Sequence, residues 1–263
     1  MLELYHNINS VCAQKVRIAL EEKGQKAKEH VLTLRGDQND PAYMKLNPNG
    51  VIPTLIHDGQ PIVESALILY YLDEIFPEPP LMPTEPRLRH RVRLFNKLID
   101  EYTHNACTII TFATAFRPNF LKMPREAWLA EIDKAPLKRR AEYKRSVIEH
   151  GIDSEFVVDA LAQHKKLLGW MEQALKDGPY LAGQSFSNAD AAVIPYILRL
   201  ELLKLGKMFA HQPSIVDWWS RMRARPSVKT SILDRMTEQD AAPFIDLSPD
   251  PWPKVQELLA KAA

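Results

Sequence analysis

The apolar and polar positions of residues 1–76 predict a small α/β unit. Short apolar runs favour strands at "LELYHN" (2–7) and "EHVLTL" (29–34), and apolar residues recur at helical spacing from Cys12 to Leu20. The stretch "VIPTLIHDGQPIVES" (51–65) predicts a hairpin, because an Asp-Gly pair stands between two short apolar runs. The predicted order is therefore strand, helix, strand, a short irregular stretch, two strands and a final helix.

The helix predicted to close this unit is apolar almost all round. It begins at Ser65, whose hydroxyl suits a helix cap, and it ends at the prolines of "FPEPP". A helix with so little polar surface must lie in a core or in an interface. The proline-rich segment 77–86 that follows is typical of a stiff linker between domains.

The remainder of the chain shows helical periodicity and little strand signal. Predicted helices cover 87–115, 124–134, 137–149, 153–176, 187–205, 213–224 and 253–262. The clearest helix start is Ser187, which resembles a capping box with Asp190, and Pro195 in the same helix predicts a kink. We therefore expect an α/β domain over 1–76 and an all-helical domain over 87–263.

Composition narrows the class of protein without indicating a function. The 263 residues are 46% hydrophobic and 25% charged, which is ordinary for a globular protein. Lysine and arginine number 34 against 33 acidic residues, so the charge balance argues against nucleic acid or an acidic membrane surface as partner. The N-terminus lacks the features of a signal peptide, and no apolar run of about 18 residues predicts a membrane span.

The two cysteines, Cys12 and Cys107, are too few for a disulfide framework. Such cysteine usage is typical of a reducing compartment, and we predict a cytoplasmic location. The cysteines are far apart and the histidines are scattered, so no metal site is predicted. The sequence also lacks the G-x-G-x-x-G, Walker, G-x-S-x-G and H-E-x-x-H signatures.

Residues of the predicted hairpin point to the binding of a small peptide. Pro53 interrupts a strand pattern, and a cis bond before it would turn the N–H and C=O of Ile52 outward to meet an extended ligand. Glu64 and Ser65 open the next helix, where a carboxylate can meet free N–H groups and an ammonium can meet Glu64. The alternative is that Ser65 is only a cap and that Glu64 only complements the helix dipole.

The chain resembles the cytosolic glutathione transferase family over most of its length. The resemblance is carried by "NSVCAQKVRIALEEKG" (9–24), "LNPNGVIPTL" (46–55), "VESALILYYLDE" (63–74) and "YLAGQSFSNADAAVIPY" (180–196). It implies a thioredoxin-like α/β domain followed by an all-α domain, the organisation that periodicity alone predicts. It also implies glutathione as co-substrate and a two-fold homodimer.

The resemblance implies a role for each candidate site residue. Ser10 matches the hydroxyl that holds the glutathione thiolate in serine-type and zeta-type members, in which Val11 would be a second serine. The matched positions for glutathione itself are Gln38 for its backbone, Ile52 with Pro53 for its cysteinyl part, and Glu64 with Ser65 for its γ-glutamyl end. Alternatively, Ser10 is an N-cap without chemistry.

The second half contains a segment, about 117–155, that is long for this family. Its layout, with "KRR" and a glycine near its end, resembles bacterial β-aryl etherases, relatives that cleave lignin-type aryl ethers by attack of glutathione. One such etherase has Asn at the position that matches Cys12 and Ser at the position that matches Ala13, so the two proteins differ next to Ser10. The electrophile is expected to be a small, hydrophobic, aromatic molecule.

Candidate residues for the electrophile pocket lie on the predicted helix 87–115 and just beyond it. Tyr102, Phe112 and Phe116 could line one wall, although aromatic residues at such spacing are commonly core, and His104 matches a zeta-type position near the bound ligand. Cys12 falls on an apolar stripe and is interpreted as buried and inert. Three hypotheses remain: a glutathione transferase using Ser10, a glutathione-linked oxidoreductase using Cys12, and a non-catalytic binding or scaffold protein.

Overall fold

The computed structural model of the chain describes residues 1–134, 136–245 and 247–261, and its N-terminal domain is built on a mixed four-stranded sheet. The strands are β1 (Leu2–His6), β2 (Lys28–Val31), β3 (Thr54–His57) and β4 (Gln60–Val63), in the order β2-β1-β3-β4. β1 is parallel to β2, whereas β3 is antiparallel to both β1 and β4. The helices of this domain are α1 (Val11–Glu22), α2 (Pro41–Met44) and α3 (Ser65–Ile75).

The predicted order of elements in this domain is confirmed, and one boundary differs for a local reason. The second strand was expected to reach residue 34 but ends at Val31. The carboxylate of Asp37 accepts hydrogen bonds from the backbone N–H of Thr33 and from that of Leu34, the latter at 2.9 Å. These bonds turn the chain and remove two N–H groups that a longer strand would have used.

Helix α1 is buried on nearly all sides, between the sheet and the helical domain. Even its charged side chains are enclosed, since Lys15 and Arg17 are 0% and 2% exposed. Lys15 Nζ donates to Asp100 at 3.0 Å, and Arg17 donates to the carbonyl of Ser231 at 2.9 Å. The stripe from Cys12 to Leu20 predicts only one of the faces that α1 buries.

The second domain consists of helices and their connections in the residues that the structure describes, apart from one isolated β-bridge between Tyr180 and Gly183. Its α-helices are α4 (Pro86–Leu98), α5 (His104–Ala113), α6 (Arg117–Leu121), α7 (Arg125–Asp133), α8 (Lys138–His150), α9 (Phe156–Ala174), α10 (Asn188–Leu202), α11 (Pro213–Ala224), α12 (Pro226–Ser231), α13 (Glu238–Ile245) and α14 (Trp252–Lys261). A π-helix, Ile99–Thr103, joins α4 to α5. Among these described helices, none is sufficiently long and apolar to cross a membrane.

Most of these helices lie where the helical periodicity of the sequence predicts them, and the helices that it does not predict are short. The sequence did not predict α6, α12 or α13, which have 5, 6 and 8 residues and therefore little period to detect. The predicted end of the last helix, at residue 262, lies outside the described residues. The precise domain limits predicted from the sequence (1–76, 77–86 and 87–263) stay predictions.

The capping box predicted at the start of α10 is present and organises its surroundings. The carboxylate of Asp190 accepts hydrogen bonds from the N–H and the hydroxyl of Ser187, both at 3.0 Å. Asp190 Oδ1 also accepts from the N–H of Leu181 and from Trp218 Nε1, at 3.0 and 2.9 Å. Asp190 is fully buried, so these donors satisfy a carboxylate that water cannot reach. One side chain thus fixes α10 to α11 and to the turn before it.

The segment after α12 folds back onto the N-terminal domain. Arg235 forms an ion pair with Glu29 of β2, and Asn9 Nδ2 donates to the carbonyl of Asp240 in α13 at 2.9 Å. Phe244, in the same helix, is 4% exposed. The C-terminal region therefore covers the loop between β1 and α1, where the candidate site begins.

Candidate active site

The register of the sheet brings four chain segments to one edge. The end of β1 pairs with the end of β2 through His6 and Val31, and Tyr5 lies opposite Thr54 at the start of β3. Thr54 in turn pairs with the last residue of β4. The loops that leave β1, β2 and β4 and the one that enters β3 therefore meet there. These four loops carry the site residues predicted in this domain: Ser10, Gln38, Ile52, Pro53, Glu64 and Ser65.

Side chains from two helices fix the loop between β1 and α1. Arg17 of α1 donates to the carbonyls of Asn7 and Ile8, both at 3.1 Å. Arg199 of α10 donates to the next carbonyl, that of Asn9, at 2.6 Å. Since each of these three carbonyls has a charged donor, the backbone that leads into α1 is held in one arrangement.

Ser10 is the N-cap of α1. Its backbone is extended (φ −75°, ψ 113°), and its Oγ accepts a hydrogen bond from the N–H of Ala13 at 3.3 Å. A hydroxyl that accepts in this way keeps its own proton for another acceptor. Ser10 is half-buried, so a ligand can reach it. The cap is observed, and the role of the hydroxyl toward a thiolate stays a prediction.

The loop before β3 presents an unused stretch of backbone. The Ile52-Pro53 peptide bond is cis, and within the described part of the chain neither the N–H nor the C=O of Ile52 takes part in a hydrogen bond. The preceding carbonyl, of Val51, accepts from Tyr43 Oη at 2.6 Å and from Asn47 Nδ2 at 2.9 Å. These bonds hold the loop while the edge at Ile52 stays open to an extended ligand.

The start of α3 is an open helix N-terminus. Glu64, its N-cap residue, is exposed and lies at φ 67° and ψ 110°, in the left-handed half of conformational space that non-glycine residues rarely adopt. Its side chain does not cap the helix, so the first N–H groups of α3 remain available to an anion. The prediction that Ser65 caps this helix is wrong: Ser65 is its first residue and is buried.

Gln38 lies in a short 3₁₀ turn, Asp37–Asn39, that follows β2. Its Oε1 accepts from the N–H of Gly36 at 3.1 Å. Gly36 has φ 112°, a backbone conformation that favours glycine. This local bond orients the Gln38 side chain, which is half-buried. The predicted contact with the glutathione backbone stays a prediction.

Cys12, at the second position of α1, is surrounded by hydrogen-bonding groups. Its Sγ lies 3.4 Å from His104 Nδ1 and 3.7 Å from the hydroxyl of Tyr196. That hydroxyl also lies 3.2 Å from His104 Nδ1. Burial raises the pKa of the thiol, but the charges of His104 and Lys15 and the two hydrogen bonds outweigh burial and lower the pKa to about 6.

The expectation that Cys12 is buried is wrong, because the residue is only half-buried. Although burial raises the pKa of its thiol, the charges of His104 and Lys15 hold that pKa below the usual range, which argues against an inert residue, and its reactivity stays a prediction. The Cys12 Sγ faces His104 of α5 and Tyr196 of α10. Val11 and Ala13 in the same turn are buried, so the apolar stripe includes the first turn, although Cys12 itself is not fully enclosed.

The π-helix positions His104 opposite the start of α1. It occupies the middle of the helix predicted over 87–115 and ends directly before His104. A π turn adds a residue and so changes the side to which the following residues face. Asp100 of this turn accepts the hydrogen bond from buried Lys15, which fixes the π-helix against α1.

A row of aromatic rings extends from α5 to the C-terminal region. Phe112 stacks edge-on against Phe116 at 5.3 Å between ring centroids, and it also meets Phe120 at 5.6 Å. Phe116 meets Phe244 of α13 at 5.7 Å, and the Arg199 guanidinium lies 4.9 Å from the Phe244 ring. Arg199 therefore connects this aromatic row with the loop that leads to Ser10.

The four residues predicted for the electrophile pocket are only partly brought together. Phe112 and Phe116 are neighbours, and His104 lies beside Cys12. Tyr102 is 40% exposed, and Lys166 lies over its ring at 4.7 Å, on the side of α9. The π-helix contains Tyr102, so Tyr102 does not share a regular α-helical face with Phe112.

Sequence reasoning missed Tyr196, Arg199 and Phe244. Tyr196 and Arg199 lie in the buried helix α10, and Phe244 lies in a short helix near the C-terminus. Tyr196 and Arg199 follow a long apolar run in the sequence of α10, and polar groups in such a helix need partners. Phe244 has no comparable signal. No motif connects these residues to residues 9–12, because the fold alone brings them together.

No group of three or more His, Cys, Asp or Glu residues suited to a metal ion occurs in the described ranges. The small mixed sheet followed by a helical domain is the organisation of the glutathione transferases, and comparison with known families gives the same class. Models of the glutathione S-transferase N-terminal and C-terminal domains match residues 4–80 and 110–226. The chain belongs to the glutathione S-transferase family.

Particular relatives extend over most of the chain. It is 29% identical over 240 residues to Glutathione S-transferase TCHQD of Arabidopsis thaliana, covering 88% of this chain and 89% of the relative. It is 27% identical over 239 residues to Protein LigF of Sphingobium sp. strain SYK-6, covering 87% and 91%. The crystal structure of the β-etherase LigF superposes with a TM-score of 0.77 at 25% identity, covering 88% of this chain and 98% of LigF.

A third relative was solved with its ligands. The maleylacetoacetate isomerase of Methylobacterium extorquens AM1, with bound malonate and glutathione, superposes with a TM-score of 0.63 at 28% identity. The superposition covers 89% of this chain and 98% of the isomerase. Relatives in this family therefore bind glutathione on this fold.

Proposed function

We propose that the protein is a glutathione transferase in which Ser10 and the N-terminus of α1 stabilise the glutathione thiolate for attack on an aromatic electrophile. The observation that carries this proposal is the Ser10 hydroxyl, which caps α1 through its oxygen and keeps its proton for a ligand. A free thiol has a pKa near 8.5 and is mostly protonated at neutral pH. A hydroxyl donor and the helix dipole both favour the thiolate.

Glutathione fits the open groups at the sheet edge. Its cysteinyl backbone would pair with the N–H and C=O of Ile52 next to Pro53, and its γ-glutamyl carboxylate would accept from Ser65 and from the first N–H groups of α3. Glu64 would receive the ammonium group, and Gln38 would contact the peptide backbone. This arrangement places the thiol toward the start of α1.

The reaction that we propose is substitution at carbon. The thiolate attacks an electrophilic carbon, a C–S bond forms, and the bond from that carbon to its leaving group breaks. With a β-aryl ether, the substrate class that the likeness to LigF supports, the leaving group is a phenolate that takes a proton from water. The aromatic electrophile would lie against Phe112 and Phe116, with His104 at the near end.

Replacing Ser10 tests this proposal. We expect Ser10→Ala to lower kcat/KM for a β-aryl ether with a chromogenic phenol about a hundredfold, while glutathione still binds in calorimetry. Ser10→Thr, which keeps a hydroxyl, should retain most of the activity. Unchanged turnover in Ser10→Ala would exclude the role of this hydroxyl. No phenol release by the native protein would exclude ether cleavage. Transfer to other electrophiles, such as halides, epoxides and enones, would then be measured in the same way.

A second candidate function is thiol–disulfide exchange at Cys12, and the 3.4 Å approach of His104 to its Sγ favours it. The Cys12 thiolate would attack a glutathione mixed disulfide, form a Cys12–glutathione disulfide and release the substrate thiol. A second glutathione thiolate would then restore Cys12 and leave as oxidised glutathione. If Cys12→Ser retains full activity with mixed disulfides, this function is excluded. A non-catalytic binding role predicts no turnover with any substrate.

The proposal also includes the oligomeric state of the protein and its location in the cell. We propose a cytoplasmic homodimer that contacts through α3 and the start of α4. Leu67, on α3, is 56% exposed in one chain, and a subunit contact through α3 would cover it. Both cysteines are free, as a reducing compartment requires. Light scattering after gel filtration should give twice the mass of one chain, and Leu67→Glu should give a monomer.

A further inference from the structure

A lysine of the inserted helix α8 lies against the aromatic row without an acidic partner. Lys144 Nζ is 4.3 Å from the centroid of the Phe112 ring. Within the residues that the structure describes, this ammonium group takes part in no salt bridge. Burial, and then the charge of Arg140, lower the pKa of Lys144 to about 7, although Glu131 opposes them.

The ammonium group of Lys144 has no evident structural partner besides the ring. The residue is half-buried, so its charge loses part of its contact with water without gaining a counter-ion, and contact with an aromatic face returns only about 0.5–2 kcal/mol. Leucine or methionine would fill the space over Phe112 without that cost. An anionic ligand would supply the missing counter-charge, so the surroundings of Lys144 favour such a ligand.

The spacing of His104 and Phe112 along α5 gives an approximate length for the ligand. Phe112 follows His104 by eight residues in α5, which corresponds to about 12 Å along the helix axis. His104 lies beside the start of α1, where the reactive carbon would be. A molecule that reaches from there to Lys144 must therefore be about two aromatic rings long.

We propose that Lys144 and Phe112 form a subsite for the carboxylate end of an elongated, two-ring aromatic substrate whose reactive carbon lies near Ser10. The distal ring packs on Phe112, and the carboxylate accepts a hydrogen bond from Lys144 Nζ. This subsite rests on the proposed glutathione transfer, since only that reaction places an electrophile at Ser10. It assigns a substrate-selecting role to the insertion, which glutathione binding itself does not use.

The test compares two ligands that differ in charge and not in shape. Biphenyl carboxylate and biphenyl carboxamide are measured by calorimetry on the native protein in the presence of glutathione. Neither has a leaving group, so the measurement does not depend on turnover. We expect the carboxylate to bind about tenfold more tightly than the amide, as a charge-assisted hydrogen bond predicts.

Variants on one helix separate the subsite from general effects. Lys144→Met should remove the preference for the carboxylate, and Lys144→Arg should retain part of it. Lys138→Met changes an exposed lysine of the same helix and should leave the preference intact. Should Lys144→Met fail to fold in circular dichroism, Lys144→Gln takes its place.

Two outcomes would overturn the subsite: equal affinity of the native protein for both ligands, or equal losses in Lys144→Met and Lys138→Met. The proposed transfer fails differently, through unchanged turnover in Ser10→Ala. A preference for the carboxylate that depends on Lys144 would stand even if that transfer were disproved, and it would then define a binding site for aryl carboxylates.

Discussion

The two cysteines of the chain lie in opposite surroundings, and their reactivities should differ accordingly. His104 and Tyr196 surround Cys12, whereas Cys107 is 2% exposed in the core. Burial raises the pKa of Cys107 to about 11, against about 6 for Cys12. At neutral pH, Cys12 should therefore be mostly thiolate and Cys107 fully protonated.

Alkylation with iodoacetamide measures this difference directly. The reaction rate of Cys12 should rise with a midpoint near pH 6, because only the thiolate reacts. Replacement of His104 by Asn removes the largest favourable contribution and should move the midpoint upward by about one unit or more. Mass spectrometry of tryptic peptides follows both cysteines in one sample, so Cys107 serves as the internal control. A midpoint near 8.5 in the native protein would contradict the expectation.

His6 makes the stability of the protein depend on pH. Burial, and then the charge of Arg17, lower its pKa from 6.5 to about 4, although Glu29 opposes them. Arg17 donates to Nδ1 of His6 at 3.1 Å, so the neutral ring carries its proton on Nε2. The unfolded chain takes up a proton below pH 6.5 and the folded one does not, so stability falls as pH decreases from 6.5 toward 4.

Urea unfolding at pH 7 and pH 5 tests this effect. The native protein should lose about 2 kcal/mol more between these pH values than His6→Asn, which has no group to protonate. His211→Asn alters an exposed histidine and should behave like the native protein. The same pH dependence in all three proteins would show that His6 is protonated without penalty.

At the scale of elements, the N-terminus of α10 depends on one carboxylate. Asp190 accepts hydrogen bonds from Ser187, Leu181 and Trp218, and it is fully buried. Asp190→Ala leaves these donors without partners and should lower the free energy of unfolding by about 3 kcal/mol or more. Glu85→Ala removes an exposed cap at the start of α4 and should cost about 1 kcal/mol. Denaturant titrations compare the two variants, and equal losses would contradict the prediction.

The same scale shows which elements a sequence can predict. The hairpin at Asp58-Gly59, the cap at Ser187 and the long helices follow from local rules, because turn chemistry and helical period are properties of neighbouring residues. The π-helix at Ile99–Thr103 could not be predicted, since its sequence has ordinary helical periodicity. The hydrogen bond from Lys15 to Asp100, a residue of this π-helix, joins it to α1, which is far away in the sequence. Short helices such as α13 are likewise stabilised by what they cover.

At the scale of the molecule, the site is composed of parts that the sequence reveals unequally. The residues predicted to bind glutathione lie in loops at one sheet edge. Pro53, Glu64 and Ser65 are candidates from local sequence patterns, whereas Gln38 and the role of Ser10 come from the resemblance to the family. The surroundings of Cys12 come from α5 and α10, far away in the chain, so only the packed structure shows that His104 and Tyr196 lie beside its thiol. The lysine at the far end of the aromatic row has no sequence motif.

The C-terminal region should contribute to binding of the electrophile and not to binding of glutathione. Phe244, on α13, contacts Phe116 and lies under Arg199, whereas the next residue, Ile245, is 64% exposed. Phe244→Ala should raise KM for an aromatic electrophile about fivefold to tenfold, as expected for the loss of one ring contact, and leave KM for glutathione unchanged. Phe244→Leu keeps apolar bulk and should have a smaller effect.

Ile245→Ala is the matched control, since it removes an apolar side chain from the same helix but from its exposed side. Steady-state kinetics with each substrate varied in turn distinguish the two KM values, and thermal unfolding shows whether each variant is folded. Equal effects of Phe244→Ala and Ile245→Ala, or an effect confined to glutathione, would mean that α13 only covers the surface. The expected result would show that the segment after α12 completes the electrophile pocket, because α13 supplies the ring that meets Phe116.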